Sequence, residues 1–343
     1  MITTVLSGGL IGLIFGFILQ RTRFCLTGGF RDMYIARNNT LFYAFLIAIT
    51  VESIGVLSLI KLGIIGNPYE EFSVLGAIVG SYLFGIGIVL AGGCATGTWY
   101  RAGEGLLGSG VALFFYMTSA AAMKSGFLVP LNQLIAKRWV INDDLAGQLG
   151  IPVWYFLVFL VAITSFVVIR ELRKPRRQIA SLPSKYKGVR HYLFEKTYHK
   201  YFAGLLIGLV AFIAWPASQL TGRVGGLGIT TPSAHLISYI ITGDSKQLGW
   251  GVFLVLGIFI GSFLAAKGSR EFRWRLPDLS TIGKSTLGGI FMGIGASWAG
   301  GCTIGNGLTA TAIFSSKGWI ALPVTILGVW TASHIIFVKP NKN

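Results

Sequence analysis

Long apolar stretches recur along the whole chain and are separated by shorter polar segments. Each is close to the roughly 20 residues that an α-helix needs to cross a bilayer. There are nine of them, at residues 2–20, 41–63, 73–92, 105–126, 152–169, 201–220, 250–266, 285–301 and 319–338. The pattern predicts an all-α polytopic membrane protein with about nine transmembrane helices.

Shorter Gly-rich pieces lie between some of these stretches. They follow the three cysteines or, near residues 229–241, occupy the equivalent place. They are too short to cross a bilayer, and backbone of this kind persists at membrane depth only when it is buried in protein or lines a wet cavity. We therefore expect short re-entrant helices at these places.

The composition agrees with a membrane protein. Of 343 residues, 53% are hydrophobic and only 12% are charged, whereas soluble domains carry about 25% charged residues. This excludes a water-soluble enzyme. There are three cysteines, an odd number that excludes a complete disulfide framework, and because they show no C-x-x-C or Cys/His spacing we expect neither a metal site nor a cofactor.

The basic residues are concentrated on one predicted side of the membrane. With the N-terminus outside, 22 of the 29 Lys and Arg residues fall in segments on the inside, ten of them in 170–200. This bias predicts a multi-pass protein of the cytoplasmic (inner) membrane with a cytoplasmic C-terminus. The first stretch has no basic residue before it, so we expect a retained span and not a cleaved signal. We interpret the positive charge as an orientation signal among lipids, and we expect no nucleic-acid partner.

One motif occurs twice, and its repetition predicts the organisation of the chain. Residues 85–97 and 293–305 are identical at 8 of 13 positions, and the same offset of 208 carries three stretches of the first half onto stretches of the second. Because one unmatched stretch joins the halves, the second copy is predicted to be upside down. In a single integral membrane domain, we expect a first inverted repeat at 1–150, a linker helix and basic cytoplasmic loop at 151–200, and a second inverted repeat at 201–343. Such repeats place a binding site near the bilayer midplane.

Cys94 and Cys302 occupy matching positions in the two copies. Glycine lets the backbone turn sharply before each short helix, and the free N–H groups of a helix start favour an anion. The glycines concerned are Gly92, Gly93, Gly300 and Gly301. We expect the two helix starts to face each other and form an anion site without a buried Lys or Arg. The alternative is that Gly-Gly permits close helix packing and that the cysteines are small buried hydrophobes.

Cys25 stands 69 residues before Cys94, and Ser233 stands 69 residues before Cys302. The third thiol thus has a hydroxyl counterpart, and Cys25 is expected nearer the cytoplasm, unless it is only a buried filler. A protonated thiol is a weak donor with a polarizable sulfur, so it suits a sulfur-bearing anion. Several weak sites in series let an ion enter and also leave.

Other polar residues are expected to support this site. Arg101 and Glu104 are predicted to form a local ion pair that fixes the piece after Cys94, and Ser233 and Asn306 are expected to have structural roles. Glu52 lies in the middle of an apolar stretch, where a carboxylate is costly. A pairing with a basic residue and a role in proton transfer both remain open for it.

At three motifs the chain resembles the YeeE/YedE family of bacterial membrane proteins. They are Arg-Thr-Arg-Phe-Cys at 21–25, the run from Ala91 to Gly105, and the run from Ala299 to Asn306. The resemblance implies a monomeric hourglass of spanning and short helices, with thiosulfate uptake past a relay of three cysteines, here Cys25, Cys94 and Cys302. Similar members often act beside a small cytoplasmic TusA-like sulfurtransferase, and others are associated with selenium compounds.

The sequence thus predicts a transporter and not an enzyme. We expect uptake of thiosulfate or a similar sulfur-containing anion, with Cys94 and Cys302 as central contacts. The alternatives are a membrane-embedded sulfurtransferase or thiol oxidoreductase, a selenium-compound transporter, or a non-transporting scaffold for a soluble partner. No base or cationic residue stands at a fixed spacing that would activate a thiol, which argues against covalent chemistry.

Overall fold

The computed structural model describes residues 2–173, 188–196 and 198–339, and this part of the chain is mostly helical. The helices of the first half are α1 (Ile2–Thr22), α2 (Leu26–Ile35), α3 (Thr40–Lys61), α4 (Val74–Leu90), α5 (Ala95–Gly103), α6 (Leu107–Ser125), α7 (Val129–Ala136) and α8 (Leu145–Leu149). The later helices are α9 (Val153–Leu172), α10 (Val189–Phe194), α11 (Lys200–Gln219), α12 (Thr230–Thr242), α13 (Trp250–Gly268), α14 (Leu279–Trp298) and α15 (Ser316–Ser333). Shorter helical turns are Ser245–Gln247, Gly305–Ala310 and His334–Val338.

Several of these helices are long and apolar enough to cross a membrane. Within the described residues there are seven, or eight if the bent pair α6 and α7, which meet at 72°, forms one span. All nine predicted stretches are helical, but α14, which covers 285–301 in part, is not among those spans. Its first half carries Lys284 among serine and threonine residues, which makes it more polar than the others. The chain is an all-α, multi-pass membrane protein, and the count of nine spans stays a prediction.

A small irregular cap lies outside the spanning helices. Two short antiparallel strands, β1 (Glu71–Ser73) and β2 (Val140–Asn142), form its sheet. Ser73 starts α4, because its Oγ accepts a hydrogen bond from the N–H of Gly76 at 3.0 Å, and it also donates to the carbonyl of Ile135 at 2.8 Å. The cap thereby ties the beginning of α4 to α7.

Small residues let pairs of spanning helices approach closely. α1 packs on α13, and a Cβ at Gly12 would collide with the carbonyl oxygen of Leu254. In the same way α11 packs on α3, and a Cβ at Gly208 would lie 2.7 Å from the carbonyl oxygen of Ala48. Close approach of this kind gives the van der Waals contact that holds helices together in lipid.

The antiparallel pair α4 and α14 lies between the halves. The start of α4 at Gly76 contacts the end of α14 at Trp298, and the end of α4 at Ala91 contacts Gly288 of α14. α6 packs on α14, and α15 packs on α4. Because the pair is antiparallel, the turns that follow α4 and α14 lie toward opposite ends of it.

The predicted basic loop lies largely outside the described residues. Of the ten basic residues in 170–200, Lys174, Arg176, Arg177, Lys185 and Lys187 are not described, and for Arg190 only the backbone is.

Candidate functional site

Two of the cysteines begin short helices inside the protein, and the third lies in the turn that leads into the helical turn Gly305–Ala310. Cys25 and Cys94 are the N-cap residues of α2 and α5, and the carbonyl of Cys302 accepts the N–H of Asn306 at 2.8 Å in the turn that follows α14. All three side chains are free thiols, exposed by 7% or less. The Sγ of Cys94 also accepts a hydrogen bond from the N–H of Gly97 at 3.4 Å.

A very small cavity joins the segments that carry the three cysteines. We call it the central cavity. Its wall contains Cys94 and Thr96, the two neighbours of Cys25 (Phe24 and Leu26), Ile304 beyond Cys302, and Leu19, Phe45, Gly97, Tyr100 and Ile207. Its volume is only about 10 Å³, close to the minimum for one water molecule. The structure therefore brings the three segments together and is closed to an anion between them.

A second cavity, of about 500 Å³, adjoins the turn that carries Cys302. We call it the large cavity. Cys302, Gly300, Gly301 and Asn306 contribute to its wall, together with the ionisable residues Glu70, Asp143, Arg223, His235 and Lys317. Its size is in the range of small-molecule sites.

Two cations flank the large cavity and are held by named partners. Arg223 donates to the carbonyl of Gly226 at 2.9 Å, and the Nζ of Lys317 lies 3.8 Å from a carboxylate oxygen of Asp143. Burial raises the pKa of Asp143, and the charge of Lys317 opposes the rise. The ion pair with Lys317 offsets the negative charge of this carboxyl group.

A third cavity, of about 250 Å³, adjoins the turn after α4. Gly92 and the cations Arg101 and Arg275 contribute to its wall. The guanidinium of Arg101 donates to the carbonyl of Gly92 and to the hydroxyl of Tyr100 at 3.4 Å. A cation therefore lies beside the Gly-Gly turn on this side, as Lys317 lies beside Gly300 on the other. The sequence predicts an anion site without a buried Lys or Arg, and the structure places these two half-buried cations beside its turns.

Three of the four predicted glycines have a clear structural reason. Gly92 and Gly300 have φ angles of +69° and +70°, a left-handed conformation that costs other residues energy, and they end α4 and α14 in the same way. A Cβ at Gly301 would collide with Oδ1 of Asn306, whereas a Cβ at Gly93 would lie 3.6 Å from Arg101 in ordinary contact. Gly93 is thus the least constrained of the four.

Asn306 and Ser233 both join parts of the site. The Nδ2 of Asn306 donates to the carbonyls of Ala299 at 2.8 Å and Gly301 at 3.3 Å, which holds the turn before Cys302. The Oγ of Ser233 accepts from Nε1 of Trp99 at 2.9 Å, which connects α12 to α5. Ser233 lies inside α12 and not at its start, so it does not occupy the helix-start position that Cys25 has.

The predicted ion pair between Arg101 and Glu104 was wrong. Glu104 pairs with Arg23, with Oε2 3.1 Å from Nη1, and also accepts from Gln20 at 3.4 Å. Arg101 instead donates to the carbonyl of Gly92, at the end of α4 where a positive charge is favourable. The two side chains are three residues apart, but each has a partner outside α5.

Glu104 belongs to an ion network near Cys25 that local spacing does not predict. Arg23 also contacts Glu271 at 2.9 Å, and Arg21 lies 3.5 Å from the same carboxylate. Burial raises the pKa of Glu271, but a hydrogen bond from Gln20 and the charges of Arg23 and Arg21 outweigh it and lower the pKa. The network joins the end of α1 to α5 and to the segment after α13.

The carboxyl group of Glu52 is fully buried and has no basic partner among the described residues. Its Oε1 accepts from Nε1 of Trp215 at 2.9 Å, and its Oε2 has no hydrogen-bond partner there. The structure therefore does not show the pairing of Glu52 with a basic residue.

Sequence reasoning missed Arg223 and Lys317 as residues of the site. Both belong to the seven Lys and Arg residues that lie outside the predicted inside segments, and this position in the sequence could have pointed to them. In the part of the chain that the structure describes, no cluster of His, Cys, Asp or Glu could hold a metal ion.

Comparison with known proteins identifies the family. The sequence model of the family described as sulphur transport matches residues 21–331. The chain is 53% identical over 342 residues to the thiosulfate transporter TsuA of Escherichia coli (strain K12), covering 100% of this chain and 97% of the relative. It is 33% identical over 345 residues to the thiosulfate transporter TsuA of Spirochaeta thermophila, covering 96% and 98%. A shorter match, 43% over 96 residues, covers 28% of this chain and 23% of the probable transporter YedE of Escherichia coli (strain K12).

The match includes all three cysteine motifs and leaves only the two ends of the chain outside. The chain belongs to the sulphur transport family, which is the YeeE/YedE family that its motifs resemble.

Proposed function

We propose that this chain is a membrane transporter that takes up thiosulfate or a similar sulfur-containing anion. The observation that carries the proposal is the set of three buried free thiols, which belong to segments that meet around the central cavity. Two relatives that match over nearly their whole length are named thiosulfate transporters, which supports the same class of anion here. The role is transport and not catalysis.

The large cavity is the entrance in this proposal. An anion enters beside Arg223 and Lys317 and first meets the thiol of Cys302. It then contacts Cys94 at the central cavity and finally Cys25, near the Arg23 network. Each S–H donates weakly to the soft sulfur of the anion, and the helix starts add backbone N–H groups. Several weak contacts in series allow release as well as binding.

Passage requires the central cavity to widen. Phe24, Leu26, Phe45, Ile207 and Ile304 close it in this structure, and an apolar constriction of this kind blocks ions. We infer that uptake proceeds by rearrangement of these side chains and their helices, so that the two sides open in turn.

We also infer that residues 1–150 and 201–343 are inverted repeats joined by 151–200. The packing supports this, because α1 on α13 corresponds to α11 on α3, and α14 on α6 corresponds to α4 on α15. The corresponding helices α4 and α14 run antiparallel, as an inversion requires.

The orientation and the surroundings follow from the same proposal. The distribution of basic residues supports a C-terminus in the cytoplasm of a bacterial cell, with the large cavity on the outside. The protein acts as a monomer in the inner membrane and releases its anion to a cytoplasmic TusA-like sulfurtransferase. Arg101, Glu104, Ser233 and Asn306 support the site, and Gly92, Gly93, Gly300 and Gly301 shape it.

Uptake by purified protein in liposomes tests the proposal. With radiolabelled thiosulfate outside, the wild-type protein should accumulate label inside, and Cys94→Ala should be slower by at least about tenfold because a charge-assisted contact is lost. Uptake by Cys94→Ala at the wild-type rate would overturn the role of this thiol. Absence of uptake by the wild-type protein would favour the non-transporting scaffold.

Mass spectrometry of the same protein tests the enzymatic alternative. After incubation with thiosulfate, a persulfide on Cys94 would favour a membrane-embedded sulfurtransferase, whereas the proposal predicts unmodified thiols. Parallel uptake of selenite tests the alternative of a selenium-compound transporter.

A further inference from the structure

A threonine closely follows each of the three cysteines. Thr27 is two residues after Cys25, Thr96 is two after Cys94, and Thr303 is directly after Cys302. We call these three threonines the hydroxyl set. Their exposed fractions are 4%, 3% and 3%, in the same order. The set is therefore buried inside the protein, within two residues of the cysteines in sequence.

The hydroxyls of this set have no hydrogen-bond partner among the described residues, and their oxygen atoms are shielded from solvent. Several other buried threonines bond to a backbone carbonyl, as Thr98 does to Ala95 at 2.7 Å and Thr311 to Asn306 at 2.9 Å. Among the buried threonines that the structure describes, only these three have a hydroxyl oxygen that is both shielded from solvent and without a hydrogen-bond partner. The hydroxyls of Ser53 and Ser333 are likewise shielded and without a partner, but neither residue follows a cysteine.

A buried hydroxyl without a partner is unfavourable, and most are satisfied by protein or by a bound molecule. Thr96 contributes to the wall of the central cavity together with Cys94, so a group that entered this cavity would meet a thiol and a hydroxyl side by side. A buried threonine without a hydrogen-bond partner also follows each of the other two cysteines.

Thiol and hydroxyl suit different ends of one anion. Thiosulfate has a soft terminal sulfur and hard oxygen atoms. The polarizable thiol suits the sulfur, and the hydroxyl is a good donor to an anionic oxygen. Sulfate would satisfy the hydroxyl but offers no soft atom to the thiol.

We propose that Thr27, Thr96 and Thr303 are substrate-binding residues that donate hydrogen bonds to the oxygen atoms of the anion. At each of three successive positions, the cysteine contacts the sulfur and the threonine contacts an oxygen. The proposal rests on the proposed function, since it assigns further contacts to the same passage.

Threonine-to-valine variants test it, because valine has nearly the same shape and lacks only the hydroxyl. Thr96→Val should raise the KM for thiosulfate uptake in liposomes by about tenfold, as expected for a lost bond to a charged group, and Thr96→Ser should restore much of it. Thr98→Val is the matched control on the same helix and should change the KM by less than about twofold. Thr303→Val should likewise raise the KM, and its control Thr311→Val should leave the KM nearly unchanged.

Thermal unfolding separates substrate binding from a structural role. Thr96→Val removes an unpartnered polar group and should leave the unfolding temperature unchanged or higher, whereas Thr98→Val loses an existing bond and should lower it. If wild-type protein transports and Thr96→Val and Thr303→Val keep the wild-type KM, the hydroxyl set has no role. A Thr96→Val protein that unfolds at a lower temperature than Thr98→Val would likewise assign this hydroxyl to the fold and overturn the inference. If wild-type protein does not take up thiosulfate, the proposed function itself fails.

Discussion

At the scale of single residues, Cys94 combines two roles that its chemistry allows together. Its sulfur accepts the N–H of Gly97 and so caps α5, while its S–H hydrogen remains available to a ligand. Cys25 also precedes a helix but makes no such side-chain bond. The two thiols are therefore not equivalent, and only at Cys94 does a substitution alter both the helix start and the proposed contact.

Variants of Cys94 should separate these two roles. Serine is a good N-cap, and alanine is a poor one that costs a helix about 1 kcal/mol. We expect Cys94→Ser to unfold at about the wild-type temperature and Cys94→Ala to unfold at a lower one. Thiosulfate uptake should follow a different order, with cysteine fastest, serine intermediate and alanine slowest, because serine keeps a donor but lacks the soft sulfur. Wild-type uptake by Cys94→Ser would contradict this account of the thiol.

At the scale of elements, the two Gly-Gly turns have the same backbone conformation but are stabilised by different side chains. Gly92 and Gly300 both adopt a left-handed conformation after α4 and α14. Beyond them, the turn before Cys302 is held by Asn306, and a cation lies against the turn before Cys94.

This difference predicts unequal effects of two matched substitutions. Gly301→Ala forces a Cβ against Oδ1 of Asn306, whereas Gly93→Ala meets Arg101 only at 3.6 Å. We expect Gly301→Ala to lower the free energy of unfolding by about 1–3 kcal/mol, as overpacking does, and Gly93→Ala to lower it clearly less. Thermal unfolding in detergent measures both, and equal losses would contradict the proposed support by Asn306.

Most of the long helices were predictable from the sequence, because a chain that crosses lipid must do so as long apolar helices. The breaks at Cys94 and Cys302 were predictable from Gly-Gly. The segment from α7 to α8 was not predicted, because its short pieces carry no sustained apolar pattern. Side-chain partners were the least predictable: Arg23 lies 81 residues from Glu104 and 248 from Glu271, and no local spacing encodes such pairs.

At the scale of the whole molecule, the main functional feature is a closed central cavity together with two larger cavities. The large cavity and the cavity beside Gly92 adjoin turns at opposite ends of the α4 and α14 pair. Each has a glycine of a Gly-Gly turn and a cation in its wall, and a layer of apolar side chains closes the central cavity. In the proposed function an anion is attracted from either side but crosses only when this layer rearranges, which prevents leakage of other ions.

The central claim is that the thiols select a sulfur-bearing anion. The most direct measurement compares the uptake of radiolabelled thiosulfate and sulfate by liposomes that contain the wild-type protein or a variant with serine at Cys25, Cys94 and Cys302. We predict that the wild-type protein takes up thiosulfate at least about tenfold faster than sulfate, and that the ratio falls toward one in the triple variant because only hydroxyl donors remain. Equal rates for the two anions in the wild-type protein, or an unchanged ratio in the triple variant, would contradict the account.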